Sequence, residues 1–121
     1  MDSGFRARIV SGAKVRGRLL PVTTMEGRSL DHLPADWVAI VLVEWESAAR
    51  TDILDMYLVE IRGRDGGVLD FLTYGTFDVA LDQARAITGI RPDQWLMCDT
   101  ELGEDPESKL GWMTFRSLAR G

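Results

Sequence analysis

A single cysteine and a single histidine are the side chains in this sequence best suited to catalysis. Cys98 and His32, with a nearby aspartate, could supply the nucleophile, base and orienting group of a covalent mechanism. Cys98, however, lies in the apolar run Trp95-Leu-Met-Cys, where a thiol packs as a small hydrophobic group, and His32 lies in a polar stretch. One cysteine and one histidine also exclude the usual zinc spacings, and the sequence has no phosphate-binding glycine motif. We therefore predict no enzymatic activity, no metal site and no cofactor.

Acidic residues are densest between positions 99 and 107, in a stretch that the sequence indicates to be a loop. A calcium loop would need Asp-x-Asp-x-Asp-Gly with a glutamate at its twelfth position, and this stretch lacks that pattern. The acids either face water as a solvated loop or meet a basic partner, or imitate nucleic-acid phosphate. Trp112 follows the stretch, and we expect it to be exposed as an interface anchor. The predicted partner-binding residues are Asp99, Glu101, Glu104, Asp105, Glu107 and Trp112.

Basic residues are concentrated near the N-terminus. Residues 1–30 carry six lysines and arginines against two acids, so their net charge is +4, and residues 31–121 carry −9, which gives the total of −5. Residues 5–10 and 13–20 alternate apolar and basic side chains, as half-buried strands do, with the turn signal Ser11-Gly12 between them. A three-residue loop over 11–13 would place the basic side chains of this hairpin on one face and the apolar ones on the other.

Like charges that lie directly opposite each other on such a hairpin cost stability, so the basic face needs compensation. Either acids on neighbouring strands supply it, or an anionic partner does, although a pI near 4.8 argues against nucleic-acid binding as the main activity. The acids that could do so are Glu44, Glu46 and Glu60. The four arginines of this face, Arg6 opposite Arg18 and Arg8 opposite Arg16, are the predicted anion-binding residues.

The elements that must position these residues can be predicted from periodicity and turn signals. The most clearly indicated helix runs from Thr76 to Thr88, with apolar residues on one stripe, a threonine cap and the stop signals Gly89 and Pro92. Trp37–Glu46 is apolar on both parities, which indicates a central strand covered on both faces. The other predicted strands cover 54–62, 68–73 and 95–98, with a hairpin turn at 63–67, and 110–118 is a final strand or short helix.

Together these elements predict an α+β fold: an antiparallel sheet of about five or six strands with one main helix packed on one face. The 121 residues fit a single domain, 1–121, and 45% hydrophobic with 27% charged residues is a globular composition. No apolar run is long enough for a membrane helix, and the first residues do not resemble a signal peptide. One cysteine excludes an intramolecular disulfide, so we expect a cytoplasmic protein.

Two segments of the sequence, Thr76-Phe-Asp-Val-Ala-Leu-Asp-Gln-Ala84 and Gly89-Ile-Arg-Pro-Asp-Gln-Trp95, resemble a pattern found in many small acidic bacterial proteins. In those proteins a strand hairpin leads to Thr-x-x-x-Ala-Leu-x-Gln-Ala and then to Gly-Ile/Val-x-Pro-x-x-Trp. They look like immunity proteins of bacterial toxin systems, or have no known role. The resemblance covers about residues 54–98, and no binding residues carry over from it.

The resemblance implies a non-enzymatic bacterial protein that neutralises a toxin by binding it. We expect the mechanism to be occlusion, in which the acidic loop and Trp112 dock on a basic active-site cleft. The alternative is a regulatory or assembly module, in which the N-terminal arginine face binds an anionic ligand or nucleic acid and the chain can form homo-oligomers.

Overall fold

Five strands form one antiparallel sheet in the computed structural model, which describes residues 5–45 and 55–119. The strands are β1 (Phe5–Lys14), β2 (Trp37–Trp45), β3 (Met56–Arg62), β4 (Val68–Tyr74) and β5 (Leu96–Gly103), in the spatial order β4-β3-β2-β1-β5. The helices of the described residues are α1 (Phe77–Thr88) and α2 (Lys109–Ala119), with a short 3₁₀ helix over Pro92–Gln94. The α+β fold and the antiparallel sheet predicted from the sequence are confirmed.

Strand β2 is the centre of the sheet, as its apolar pattern predicts. Val38 and Ile40 face one side and Ala39 and Val41 face the other, and all four are fully buried. A strand covered on both faces needs apolar residues at every position, because neither parity meets water. The sequence therefore identifies the middle of the sheet correctly.

The two helices pack on opposite faces of the sheet. Helix α1 lies against β2, β3 and β4, where its buried residues Ala80, Ala84 and Ile87 join the core on that side. Helix α2 lies against β5 on the other side, where Trp112 and Phe115 join a second core cluster. The prediction of one main helix on one face is thus incomplete, since the final segment, left open between strand and helix, forms the second helix.

Helix α1 begins and ends where its sequence predicts. The Thr76 hydroxyl accepts a hydrogen bond from the Val79 amide at 3.2 Å, which satisfies one of the free donors of the first turn. Gly89 follows the last turn at φ 71°, in the left-handed region that favours glycine, and its amide donates to the Arg85 carbonyl at 2.7 Å.

The predicted hairpin over residues 5–20 is wrong. Strand β1 runs from Phe5 to Lys14 with a bulge between Ile9 and Ser11, and it pairs with β2 on one side and β5 on the other. Gly12 marks a close approach here rather than a turn: a Cβ at this position would lie 2.9 Å from Cζ of Phe115 in α2. Residues 15–36 form a connection with one isolated bridge, between Thr23 and Ser29.

The boundary between β5 and the acidic loop also differs from the prediction. The strand predicted for 95–98 continues to Gly103, so that Asp99 and Glu101 lie in β5 and only Glu104, Asp105 and Glu107 lie in the loop. The physical reason is the alternation that continues past Cys98: Thr100 and Leu102 are buried, and Asp99 and Glu101, which alternate with them, face solvent.

Candidate functional site

A short acidic loop, residues 104–108, connects β5 to α2 and carries three exposed carboxylates. Asp105 organises it, since its Oδ1 accepts a hydrogen bond from the Glu107 amide at 3.0 Å and its carbonyl accepts one from the Ser108 amide at 3.0 Å. Ser108 then caps α2, because its Oγ accepts a hydrogen bond from the Gly111 amide at 3.1 Å. Hydrogen bonds from its own residues therefore hold the loop backbone from Asp105 into the first turn of α2.

The loop is also held from beneath by Arg62, the last residue of β3. This side chain is fully buried, and its Nη2 donates to the Pro106 carbonyl at 3.0 Å while Nη1 lies 3.4 Å from the Ser108 carbonyl. Nη1 also donates to the Gly66 carbonyl at 2.9 Å in the turn between β3 and β4. One guanidinium thus connects the β3–β4 turn to the acidic loop.

Glu60 is the charge partner of Arg62 and is equally buried. Nε and Nη2 of Arg62 donate to its Oε1 at 2.9 and 2.5 Å, and its Oε2 has no hydrogen-bond partner among the described residues. The pKa of Glu60 is raised to about 7: burial raises it most, the attraction of Arg62 and its hydrogen bonds offset part of that rise, and the nearby Glu107 and Asp105 add to it. The carboxyl group therefore titrates close to neutral pH.

Sequence reasoning missed this buried pair. The sequence does contain a sign of it. Glu60 and Arg62 have opposite charges and are two residues apart in an otherwise apolar strand, so their side chains lie side by side on the same buried face. The prediction that Glu60 could neutralise the N-terminal arginines is wrong, because its ion-pair partner is Arg62.

Trp112 is not exposed, contrary to the sequence-based expectation. Its side chain has 0% relative exposure, its ring centroid lies 4.8 Å from Cζ of Arg62, and it packs edge-on against Trp37 at 5.5 Å. Gly66 provides the space, because a Cβ there would come within 2.6 Å of the Trp112 ring. Trp112 therefore supports Arg62 and the turn beneath the loop, and no partner can contact it directly in this conformation.

Two other apolar side chains of α2, rather than Trp112, are exposed to solvent. Leu110 is 77% exposed and Met113 is 61% exposed, and residues three apart lie on the same side of a helix. They follow the acidic loop directly in the chain, so the loop and this helix face form one continuous stretch, residues 104–113.

The five predicted acids fall into two groups. Asp99 and Glu101 are ion-paired within the sheet, Asp99 to Arg8 at 3.4 Å and Glu101 to Arg6 at 2.9 Å. The remaining three form no ion pair with any residue that the structure describes: Glu104, Asp105 and Glu107.

The four predicted anion-binding arginines do not form one face. Besides the contacts on β5, Arg8 lies 3.2 Å from Glu44 of β2, so the sheet itself neutralises this part of the basic charge. Glu46, the other acid considered for this role, lies outside the described residues. Arg16 and Arg18 lie in the connection after β1, where both are exposed and neither has an ion-pair partner within residues 5–45 and 55–119.

Cys98 is in an environment that does not favour a nucleophile. Its thiol donates a hydrogen bond to the Ile9 carbonyl at 3.2 Å, and burial raises its pKa, whereas a reactive thiolate needs a lowered one. His32 lies in the connection between β1 and β2 and is exposed. Within residues 5–45 and 55–119 no three His, Cys, Asp or Glu side chains are grouped to hold a metal ion, and no helix is long and apolar enough to cross a membrane.

Neither protein-family models, nor curated protein sequences, nor solved structures match this chain.

Proposed function

We propose that this protein is a non-enzymatic binding protein that recognises a basic protein surface through residues 104–113. One observation carries the proposal. Three carboxylates without ion-pair partners in the described chain stand on a loop whose backbone is held by the buried Arg62, next to the exposed Leu110 and Met113.

A loop that is already ordered loses little conformational entropy on binding, so more of its interaction energy appears as affinity. Its carboxylates attract a basic surface and accelerate the encounter, while the exposed leucine and methionine supply apolar area that water leaves on contact. In this arrangement Arg62 and Trp112 position the site, and the loop and the first turns of α2 form the contact.

Within this class we propose an immunity protein that blocks the active site of a bacterial toxin. The resemblance of residues 54–98 to such proteins supports the proposal, and so does the chemistry of the loop. Enzymes that act on nucleic acids hold phosphates in basic clefts, and fixed carboxylates can occupy such a cleft in place of the substrate.

Co-expression with the protein encoded next to this gene tests the proposal. We expect that product to arrest growth of a bacterial host, and this protein to restore growth and to form a complex that survives gel filtration. The triple variant Glu104→Ser, Asp105→Ser, Glu107→Ser should lose the rescue and bind at least about tenfold more weakly.

The matched control removes three acids outside the loop: Asp31→Ser, Asp82→Ser, Asp93→Ser. It changes the net charge equally, so it should rescue growth and bind as the parent does if the loop is the contact. Full affinity in the loop variant, or equal losses in the two variants, would show that residues 104–108 do not form the interface.

A further inference from the structure

A cavity of about 410 Å³ lies where the end of β1 meets the C-terminal end of α1, away from residues 104–113. Its lining is mixed: Trp37, Ile90 and Leu96 are apolar, and polar groups contribute nearly as much of its surface. Lys14 and Arg16 also line it, so the cavity has basic groups at its edge. The volume lies within the range of sites that bind small organic ligands.

The backbone on both sides of Arg16 is fixed, so its position relative to the cavity is defined. The Val15 amide donates to the Asp36 carbonyl at 2.9 Å, and the Leu20 amide donates to the Ile87 carbonyl at 2.7 Å. Val15 and Leu19 are both buried and anchor the segment in the core.

The charge at the cavity is positive and only partly neutralised. Lys14 Nζ lies 3.0 Å from Asp36 and 5.9 Å from the centroid of the Trp37 ring. Arg16 forms no ion pair with a described residue, and the side-chain amide of Gln94, another lining residue, makes no hydrogen bond with one. The hydrogen-bond donors of Arg16 and of the Gln94 side chain therefore have no partner in the described chain and lie next to the apolar part of the lining.

The C-terminal end of α1 also borders the cavity, and a helix C-terminus carries partial negative charge. Part of that charge is already satisfied, because the Ile87 carbonyl accepts from Leu20 and the Arg85 carbonyl accepts from Gly89. The group with unused capacity is the guanidinium of Arg16, whose planar donors fit a carboxylate or phosphate with two parallel hydrogen bonds.

We propose that this cavity binds a small organic anion, in which a carboxylate or a phosphate ester is joined to a flat apolar group. Arg16 holds the anionic end, and the wall formed by Trp37, Ile90 and Leu96 receives the apolar body. This site is separate from the acidic loop, so the proposal does not depend on the proposed function.

NMR titration of the ¹⁵N-labelled full chain with 2-naphthoate and 1-naphthyl phosphate tests the site. We expect saturable shifts of the Gly89, Ile90 and Gln94 amides with at least one of these two probes. The uncharged 2-naphthalenemethanol and inorganic phosphate should each bind at least about tenfold more weakly, because each lacks one half of the ligand. The probe that binds more tightly shows whether the anion is a carboxylate or a phosphate.

Two arginine variants provide the specificity test. Arg16→Ser should weaken binding at least about tenfold, since it removes a charge-assisted pair, and Arg18→Ser should leave it unchanged. Both arginines are exposed and make no described ion pair, so far-UV circular dichroism should show both variants folded. Equal binding of the uncharged alcohol, equal losses in the two variants, or no shift at millimolar probe would each overturn the proposal.

Discussion

At the scale of single residues, the buried pair of Glu60 and Arg62 is the feature on which the acidic loop depends. Burying two charges costs several kcal/mol before their attraction and hydrogen bonds offset it, so such a pair adds little net stability. Arg62 donates to backbone carbonyls in two separate loops as well as to Glu60. The pair therefore fixes the relative positions of the β3–β4 turn and the loop.

The titration of Glu60 predicts how the free energy of unfolding depends on pH. Its pKa is about 7 in the folded protein against 4.5 for an ordinary glutamate, so the folded state holds this proton more tightly than the unfolded state. Stability should therefore fall as pH rises from about 4.5 through 7, by about 3 kcal/mol from this group alone.

Glu60→Gln removes this group from the titration. We would measure the free energy of unfolding of parent and variant in urea at a series of pH values from 5 to 8. The stability of the variant relative to the parent should increase as the pH rises. Asp82→Asn, at an exposed position on α1, is the control and should give a curve parallel to the parent. A pH-independent difference between Glu60→Gln and the parent would show that Glu60 stays ionised throughout.

At the scale of elements, local signals predict what local contacts determine. Helix α1 and the β3–β4 hairpin could be predicted because their caps, stripe and turn residues lie close together in the chain. Strand β1 could not, because its partners β2 and β5 come much later in the sequence, and Ser11-Gly12 reads equally well as a turn or as a bulge under a helix.

The same limit applies to the candidate site. The acids of the loop were visible as a charge run, but the arginine that holds the loop lies more than 40 residues earlier and was missed. Trp112 was expected at the surface because it follows polar residues, whereas Gly66 and Arg62 create a buried place for it. A single sequence carries no direct record of such long-range contacts.

The packing of α2 on the β3–β4 turn can be measured with a pair of glycines. Gly66 and Gly17 both adopt positive φ, 89° and 85°, but only Gly66 faces a side chain, that of Trp112. Gly17→Ala should lower the free energy of unfolding by about 1 kcal/mol through backbone strain. Gly66→Ala should lower it by about 1–3 kcal/mol more, because the new methyl group overpacks against Trp112. Equal decreases in the free energy of unfolding for the two variants, measured in urea, would mean that α2 does not pack on this turn.

At the scale of the whole molecule, each helix covers only part of its face of the sheet. Helix α1 packs on β2, β3 and β4, and α2 packs on β5 and reaches Gly12 of β1. The part of β1 and β5 that carries Arg6, Arg8 and their acids is consequently a surface of ion pairs. On β4, Leu69 and Phe71 remain 39% and 42% exposed.

The sheet also has two outer strands, β4 and β5, and an outer strand can pair with another chain unless something blocks it. Arg28 from the β1–β2 connection performs this role at β4: its guanidinium pairs with Asp70, and Nη1 donates to the Phe71 carbonyl at 3.3 Å. An occupied carbonyl is not available to a strand from a second molecule.

Removing this block should change the association state of the protein. We expect Arg28→Ala to self-associate in a concentration-dependent manner, because it frees a backbone acceptor on β4 next to the exposed Leu69 and Phe71. Arg18→Ala is the control, since it removes the same charge from an exposed arginine without an ion-pair partner in the described chain. Sedimentation velocity over a range of concentrations should show larger species for Arg28→Ala than for Arg18→Ala. Identical sedimentation of the two variants would mean that the charge of Arg28, and not its contact with Phe71, is all that this arginine contributes at the edge.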